Sequence, residues 1–425
     1  MTEIPAKSKA AGPIPPAFSS EEGMLLIGGR GAASLADEAG DTPLFVYDAA
    51  MLSQRVASLR AVLPDRCDVH YAMKANPFGP LLRHMGGIVD GFDIASSGEL
   101  AMALAAGVAA GRISFAGPGK KDAELAAALD EGVTVHLESE GEAERLLALA
   151  ERHGRRPRFA VRVNPDFDLK GSGMRMGGGA KPFGVDAERA APLARRMIDA
   201  GAEWRGWHIF AGSQSLDGDA IIAMQAATIE LAGRLSGEVG APPPLVNLGG
   251  GFGITYFPGD KPLDIAPIGA ALGEAIARAP DLLSGSRFAL ELGRWLVGEA
   301  GVYLTRIIDV KTSHGETFAV VDGGLHHQLA ASGNFGTVVR RNYPVAVANH
   351  FDAAPAQRPV TVVGCLCTPL DRLADQILLP PVEPGDIIAI FMAGAYGASA
   401  SPATFLGHEP AAQLLVTADG DCLHD

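Results

Sequence analysis

Cysteine, aromatic residues and clustered basic charge are all scarce in this chain of 425 residues. The four cysteines, Cys67, Cys365, Cys367 and Cys422, are too few and too unevenly spaced for a disulfide framework, and the single residue between Cys365 and Cys367 is not the spacing of a zinc knuckle. A reducing cytoplasm is the expected setting. With 35 basic against 49 acidic side chains, the net charge of -14 repels nucleic-acid phosphates and anionic lipid surfaces. The opening segment, residues 1–22, has no apolar core of the kind a secretory signal needs and reads as a disordered tail. Residues 387–407 carry no charge over a membrane-spanning length, but their Gly and Ser positions and Pro402 suit a strand followed by a tight loop. These absences leave a soluble enzyme acting on small molecules as the expected class.

What is present is a large apolar fraction, 48%, enough to bury more than one domain. From residue 45 to 295, short β-branched runs alternate with Ala- and Leu-rich stretches of helical period, the pattern of repeated βα units. Eight strands are predicted: 69–74, 91–96, 113–117, 134–139, 159–164, 206–212, 245–250 and 288–293. Eight units in about 250 residues imply an α/β fold with a closed parallel (β/α)8 barrel, here over residues 46–295. Beyond Arg294 the texture changes to Val-, Ile- and Thr-rich segments such as VYLTRIIDV and DIIAIFMAGAY, broken by turn residues. That predicts a mostly antiparallel β-domain over residues 296–425, which the early strand-like segments in residues 23–45 are expected to join.

The polar residues gather at strand ends, where barrel enzymes build their sites. Lys74 ends the first strand in His70-Tyr71-Ala72-Met73-Lys74-Ala75-Asn76-Pro77. A lysine ammonium is costly to desolvate, so a lysine there points to a reactive amine, with an exposed rim lysine as the plainer alternative. Strand seven ends in Gly249-Gly250-Gly251, whose backbone N–H groups can turn onto a phosphate, although such runs also mark simple turns. Strand eight ends in Glu291-Leu292-Gly293-Arg294, an acid able to keep a pyridine nitrogen protonated and a base able to bind phosphate or carboxylate; a local ion pair would explain them equally. On strand six, His208 and Phe210 share one face and can cover a planar ring or simply fill the core, and Ser213 follows at the strand end.

Together these motifs resemble the diaminopimelate and ornithine decarboxylase family, the fold-type III pyridoxal-phosphate decarboxylases, over roughly residues 40–410. YAMKANP is similar to the family's lysine motif, GGGFG to its phosphate loop and ELGR to its Glu-x-Gly-Arg turn. Cys367 and Gly394-Ala395-Tyr396 match its C-terminal site motifs. The resemblance implies that Lys74 holds pyridoxal 5'-phosphate as a Schiff base and that Glu291 faces the pyridinium nitrogen. It further implies that Ser213, Gly249, Gly250, Gly251, Arg294 and Tyr396 bind the phosphate, with Asp93, His208 and Phe210 also contacting the cofactor. Cys367 would reprotonate the substrate α-carbon from the second subunit of a homodimer with shared sites. Arg294, Arg340, Tyr343, Thr368 and Tyr396 are the expected substrate contacts, and no metal is expected.

Three departures bear on the substrate. Thr368 replaces the acidic residue that grips a distal ammonium in the diaminopimelate and ornithine branches. Gly323 stands where the ornithine branch has a second amine-binding aspartate. Phe210 replaces a ring-stacking histidine. With the GPGKK run at 117–121 and LHHQ at 325–328, these residues look most like the subgroup acting on glutamyl groups tethered to acyl carrier proteins, which includes exosortase-associated decarboxylases. Lys120, Lys121, Arg340 and Arg341 then become candidates for meeting a carrier. The competing readings are diaminopimelate decarboxylation, amino-acid racemisation and cofactor binding without turnover.

Overall fold

The computed structural model describes residues 8–167, 174–175, 177–335, 340–355 and 358–424. Eight parallel strands close into a barrel: β1 (Cys67–Ala72), β2 (Gly91–Ile94), β3 (Ile113–Phe115), β4 (Thr134–Leu137), β5 (Arg158–Asn164), β6 (Glu203–Ile209), β7 (Leu245–Asn247) and β8 (Arg287–Leu292). Each pairs with its neighbours in chain order, and β8 closes on β1 through Glu291 opposite His70. Strand interiors are buried on both faces, as strands packed between a barrel interior and an outer helical ring must be, with one face apolar and the other carrying polar side chains such as His70 and Arg162.

Serine caps fix where helices begin after the strands. Ser96 Oγ accepts from Glu99 N–H at 3.1 Å ahead of Ser97–Ala105, and Ser139 Oγ accepts from Glu142 N–H at 3.1 Å ahead of Glu140–His153. The Glu99 and Glu142 carboxylates bond back to the N–H groups of Ala95 and Glu138, a reciprocal arrangement that sharpens each strand-to-helix turn. Helix Glu140–His153 then lays Ala143, Leu146 and Leu149 onto the barrel.

The second unit is a mostly antiparallel sheet built around the long strand Gly301–Ser313, which pairs with Glu316–Val321, Ile387–Ile390 and Leu44–Asp48. Leu44–Asp48 thus joins this sheet from ahead of the barrel. Met24–Ile27 instead forms a small separate sheet with Ser19–Glu21 and Arg30–Gly31. The disorder expected for residues 1–22 lies outside the described residues over 1–7. From Lys9 on, the segment is held to the body: Lys9 N–H donates to the Gln376 carbonyl at 2.8 Å, and Gly12 N–H to Asn342 at 3.1 Å. Residues 387–390 of the uncharged run are a strand, and no helix among the described residues is long and apolar enough to cross a membrane.

Hydrogen bonds bring the sheet domain onto the mouth of the barrel. Asn76 Nδ2 donates to the Gly394 carbonyl at 3.0 Å, and Tyr396 N–H donates to the Ala75 carbonyl at 2.8 Å, so Tyr396 is fixed one residue from Lys74.

Candidate active site at the barrel mouth

Lys74 sits in a short 3-10 turn, Met73–Ala75, just past β1. Met73 and Ala75 point into the core, and this forces the lysine side chain out over the barrel mouth, where it is exposed. It lines a cavity of about 300 Å³ together with Asp93, Arg162, His208, Phe210 and Glu291. Its Nζ lies 5.6 Å from the centre of the Phe210 ring. The Phe210 and His208 rings stand 6.4 Å apart, on the shared strand face that their spacing predicts.

Beneath this group runs a chain of buried polar contacts. Glu291 Oε2 lies 3.0 Å from His208 Nε2, and His208 Nδ1 lies 2.8 Å from His136 Nδ1. Burial alone would raise the Glu291 pKa, but the contact with His208, then the charges of Lys74 and Arg162, outweigh it and hold the carboxylate well below its ordinary range. Burial, then His208, pushes His136 well down, so His136 is neutral and serves to orient its neighbour. The pair geometry at Glu291 Oε2 and His208 Nε2 is not that of an aligned hydrogen bond, and neither atom has another partner. A buried carboxylate oxygen left this way suits a cationic N–H donor entering the cavity.

Asp93 is also buried, but its Oδ1 accepts from Ser114 Oγ and its Oδ2 is 3.3 Å from His70 Nδ1. It lines the cavity while committed mainly to the barrel interior. Burial opposes protonation of His70, and the Asp93 charge outweighs it, raising the His70 pKa.

On the other side of Lys74 lies a second cluster. At Gly250 a Cβ would come within 2.1 Å of the Glu291 carbonyl, so only glycine lets the loop after β7 pass the end of β8. None of the hydrogen bonds among the described residues uses the N–H of Gly250 or Gly251, while Gly249 N–H is held by Asn247 Oδ1 at 2.9 Å. Ser213 lies on the adjoining segment, which Gln214 joins to Ile254 through two hydrogen bonds. Arg294 donates through Nη1 to the Tyr256 hydroxyl at 3.0 Å and lies 4.8 Å from the Tyr396 ring, and its buried Nε has no partner. Tyr343 is buried behind this group, its ring 4.8 Å from that of Tyr256. Tyr396 has φ of 58°, a conformation costly for a non-glycine residue and found most often where function demands it. Unused amides, a half-buried guanidinium and tyrosine rings fit a phosphate, so the mouth as a whole fits a pyridine ring with a phosphate arm.

The chain does not bring every candidate to this cavity. Cys367 is exposed on the loop after strand Val360–Val363, and neither it, Thr368 nor Arg340 lines the cavity around Lys74. Thr368 and Arg340 meet instead at Leu370, whose N–H donates to Thr368 Oγ1 at 3.3 Å and whose carbonyl accepts from Arg340 Nη2 at 3.4 Å. Lys120 corrects one expectation. It is buried and ion-paired with Glu142 at 2.9 Å, so it braces the cavity wall and is not open to a carrier. Lys121 and Arg341 are exposed, the latter with its guanidinium 3.8 Å from the centre of the Phe257 ring.

Sequence reasoning passed over His136, Arg162, Glu138 and Tyr256. Arg162 pairs with Glu138 at 2.8 Å, and Glu138 also accepts the N–H groups of Gly117 and Gly184, fixing the loops that rim the cavity. The available signal was a polar residue inside a buried strand: the single histidine of β4 and the interior arginine of β5.

Comparison with known proteins agrees with this geometry. Residues 49–298 match the family described as pyridoxal-dependent decarboxylase, pyridoxal binding domain. An L-glutamyl-[BtrI acyl-carrier protein] decarboxylase from Niallia circulans is 35% identical, the match covering 88% of this chain and 89% of that protein. A diaminopimelate decarboxylase from Methanothermobacter thermautotrophicus is 34% identical over 90% of this chain and 88% of its own. The crystal structure of diaminopimelate decarboxylase from Helicobacter pylori complexed with L-lysine superposes with a TM-score of 0.80 at 26% identity, covering 90% of this chain and 93% of that one.

Proposed function

The chain belongs to the pyridoxal-dependent decarboxylase family, and from that premise we propose that it removes the α-carboxylate of an L-amino-acid-like group with no distal ammonium, foremost a glutamyl group tethered to an acyl carrier protein. The observation that carries this reading is that, among the described residues, neither position 323 nor the loop 365–371 offers a carboxylate free to grip such an ammonium. A Cβ at Gly323 would lie 1.8 Å from the Tyr303 hydroxyl, so no aspartate fits there. Thr368 offers only a hydroxyl, already bonded to Leu370 N–H. Asp371, the one acid in the loop 365–371, spends its two oxygens on the N–H groups of Leu325 and Leu366. An ammonium brought here would lose its hydration without a charged partner.

When bound, pyridoxal phosphate supplies an electron sink for the pair left behind by carbon dioxide. In this reading Lys74 would hold the cofactor through its amine, Glu291 would keep the ring nitrogen protonated, and Phe210 would pack against the ring. The Gly250 and Gly251 amides, Ser213, Arg294 and Tyr396 hold the phosphate. Cys367 Sγ holds the proton delivered to the α-carbon, and since Cys367 lies outside its own chain's cavity, a second subunit contributes it. Exposed Lys121 and Arg341 are basic points on an acidic protein that a carrier could meet.

Diaminopimelate is the second reading, favoured by the archaeal relative's nearly equal identity. Carbon dioxide release from glutamyl carrier protein, from free glutamate and from free diaminopimelate decides between them. Turnover of the glutamyl carrier is expected; fast release from diaminopimelate with none from the carrier would sink the proposal.

A further inference from the structure

In the sheet domain three segments distant in sequence converge on one point: the turn after Glu316–Val321, which carries His326; the turn after Val360–Val363, which carries Cys365; and the turn Phe405–Gly407, which His408 follows. One ligand atom from each of these side chains lies within 4.8 Å of the other two. Cys365 Sγ is 3.9 Å from His408 Nε2, and the His326 and His408 rings are 4.7 Å apart. His326 is 0% exposed, yet neither of its ring nitrogens has a hydrogen-bond partner. An imidazole buried with both nitrogens unmet is unfavourable unless something else binds there.

The scaffold around these side chains is braced by residues next to each of them. Leu325 N–H and Leu366 N–H both bond to Asp371, Cys365 N–H donates to the Gly323 carbonyl at 3.0 Å, and His327 Nε2 is 2.9 Å from the Glu409 carbonyl. Ligand positions are therefore fixed by the backbone of three segments at once.

We propose that His326, Cys365 and His408 form a zinc-class metal site that clamps the loop bearing Cys367 and Thr368 onto the sheet domain. Two imidazoles and a thiolate select zinc and its soft neighbours over magnesium or calcium. Tetrahedral bonds of about 2.0–2.3 Å place ligand atoms roughly 3.5 Å apart, so the present spacing closes onto an ion by small side-chain rotations. The fourth position opens toward solvent, since Cys365 and His408 are half-buried, and takes water. As the metal–sulfur bond forms, the Cys365 thiol proton passes to solvent. The site lies two residues from Cys367 and does not depend on which substrate the enzyme takes.

The test uses the holoenzyme dialysed against chelator and titrated with Co²⁺ as a spectroscopic substitute for Zn²⁺. One equivalent per chain should produce thiolate-to-metal absorption and red d–d bands, both removed by added Zn²⁺. Cys365→Ala and His408→Ala should each weaken Zn²⁺ binding by more than about 100-fold, beyond the range for losing an outer-shell partner. His408 is half-buried, so its variant remains informative where Cys365→Ala folds poorly. Cys367→Ala should bind the metal unchanged. Absence of a thiolate band at one equivalent, or a band that survives Cys365→Ala and vanishes in Cys367→Ala, would overturn the proposal.

Discussion

The barrel mouth and the loop 365–371 are built on opposite terms. At the mouth, Lys74, Phe210, His208 and Glu291 come from strands closed by the barrel itself, and a deep polar chain through His136 holds them in place. On the loop, Cys367 is exposed, and Thr368 meets only Leu370 and its immediate neighbours. One chain thus carries a preorganised cavity and, separately, an outward-facing loop that bears the proposed proton donor. The difference teaches that the cofactor cavity is a property of the barrel fold, whereas, in the proposed function, completion of the reaction would depend on where the loop docks. The proposed homodimer, pairing each mouth with its partner's loop, would satisfy both halves.

Mixing variants breaks this comparison most directly. Lys74→Ala should abolish carbon dioxide release, and Cys367→Ala should lower kcat by about 10²–10⁴-fold, the usual contribution of a positioned acid. If the sites are shared, chains carrying one change each should assort into heterodimers with one intact site. Co-refolding equal amounts should then restore about a quarter of wild-type activity, half the dimers having one of two sites intact. Activity no greater than that of the better single variant would place both residues in the same chain's site.

Glu291→Gln tests the mouth alone. Removing the charge opposite the ring nitrogen should cost about 10²–10³-fold in kcat, comparable with loss of one preorganised electrostatic contact. The sign of its pH effect follows from the lowered pKa. A carboxylate whose folded pKa lies below the ordinary 4.5 contributes stability that is fully present above that value and is lost as the pH falls through the folded one. Urea denaturation of wild type and Glu291→Gln at pH 7 and pH 4 should show the larger acid-induced loss in the wild type. An equal loss in both would place the acid sensitivity elsewhere.

The same contrast explains what could be read from sequence. All eight barrel strands were legible because each is a compact apolar run bounded by turn residues, and the runs alternate with helices of period 3.6. Their ends were less so: the first was expected over 69–74, but the ladder stops at Ala72 and Met73–Ala75 turns. Met73 and Ala75 are still buried there, so apolar pattern continues past the last ladder hydrogen bond. Lys74, Glu291 and Arg294 could be placed at the barrel mouth because they stand at strand ends. The contact of His136 with His208 could not, since the two are brought together only by ring closure across strands 72 positions apart. Lys120 failed for the converse reason: adjacent lysines look alike in sequence, but only Lys120 turns inward to Glu142.

The smallest expected effect sharpens the comparison at the loop. If the missing carboxylate at position 368 is what excludes a distal ammonium, Thr368→Glu should restore a charged partner worth about 1.5–3 kcal/mol, or roughly 10- to 100-fold in kcat/KM for diaminopimelate. The mouth is unchanged by this substitution, so cofactor absorbance and the rate with the native substrate class should report the loop alone. Thr368 is half-buried and, among the described residues, its hydroxyl bonds Leu370 N–H, so a longer side chain has room to turn toward solvent. A gain for diaminopimelate with a matching loss for glutamyl carrier would assign substrate choice to the loop. Equal losses for both would mean that Thr368 supports the loop's shape, and that the ammonium is excluded by the rim near Arg162 and Phe183 instead.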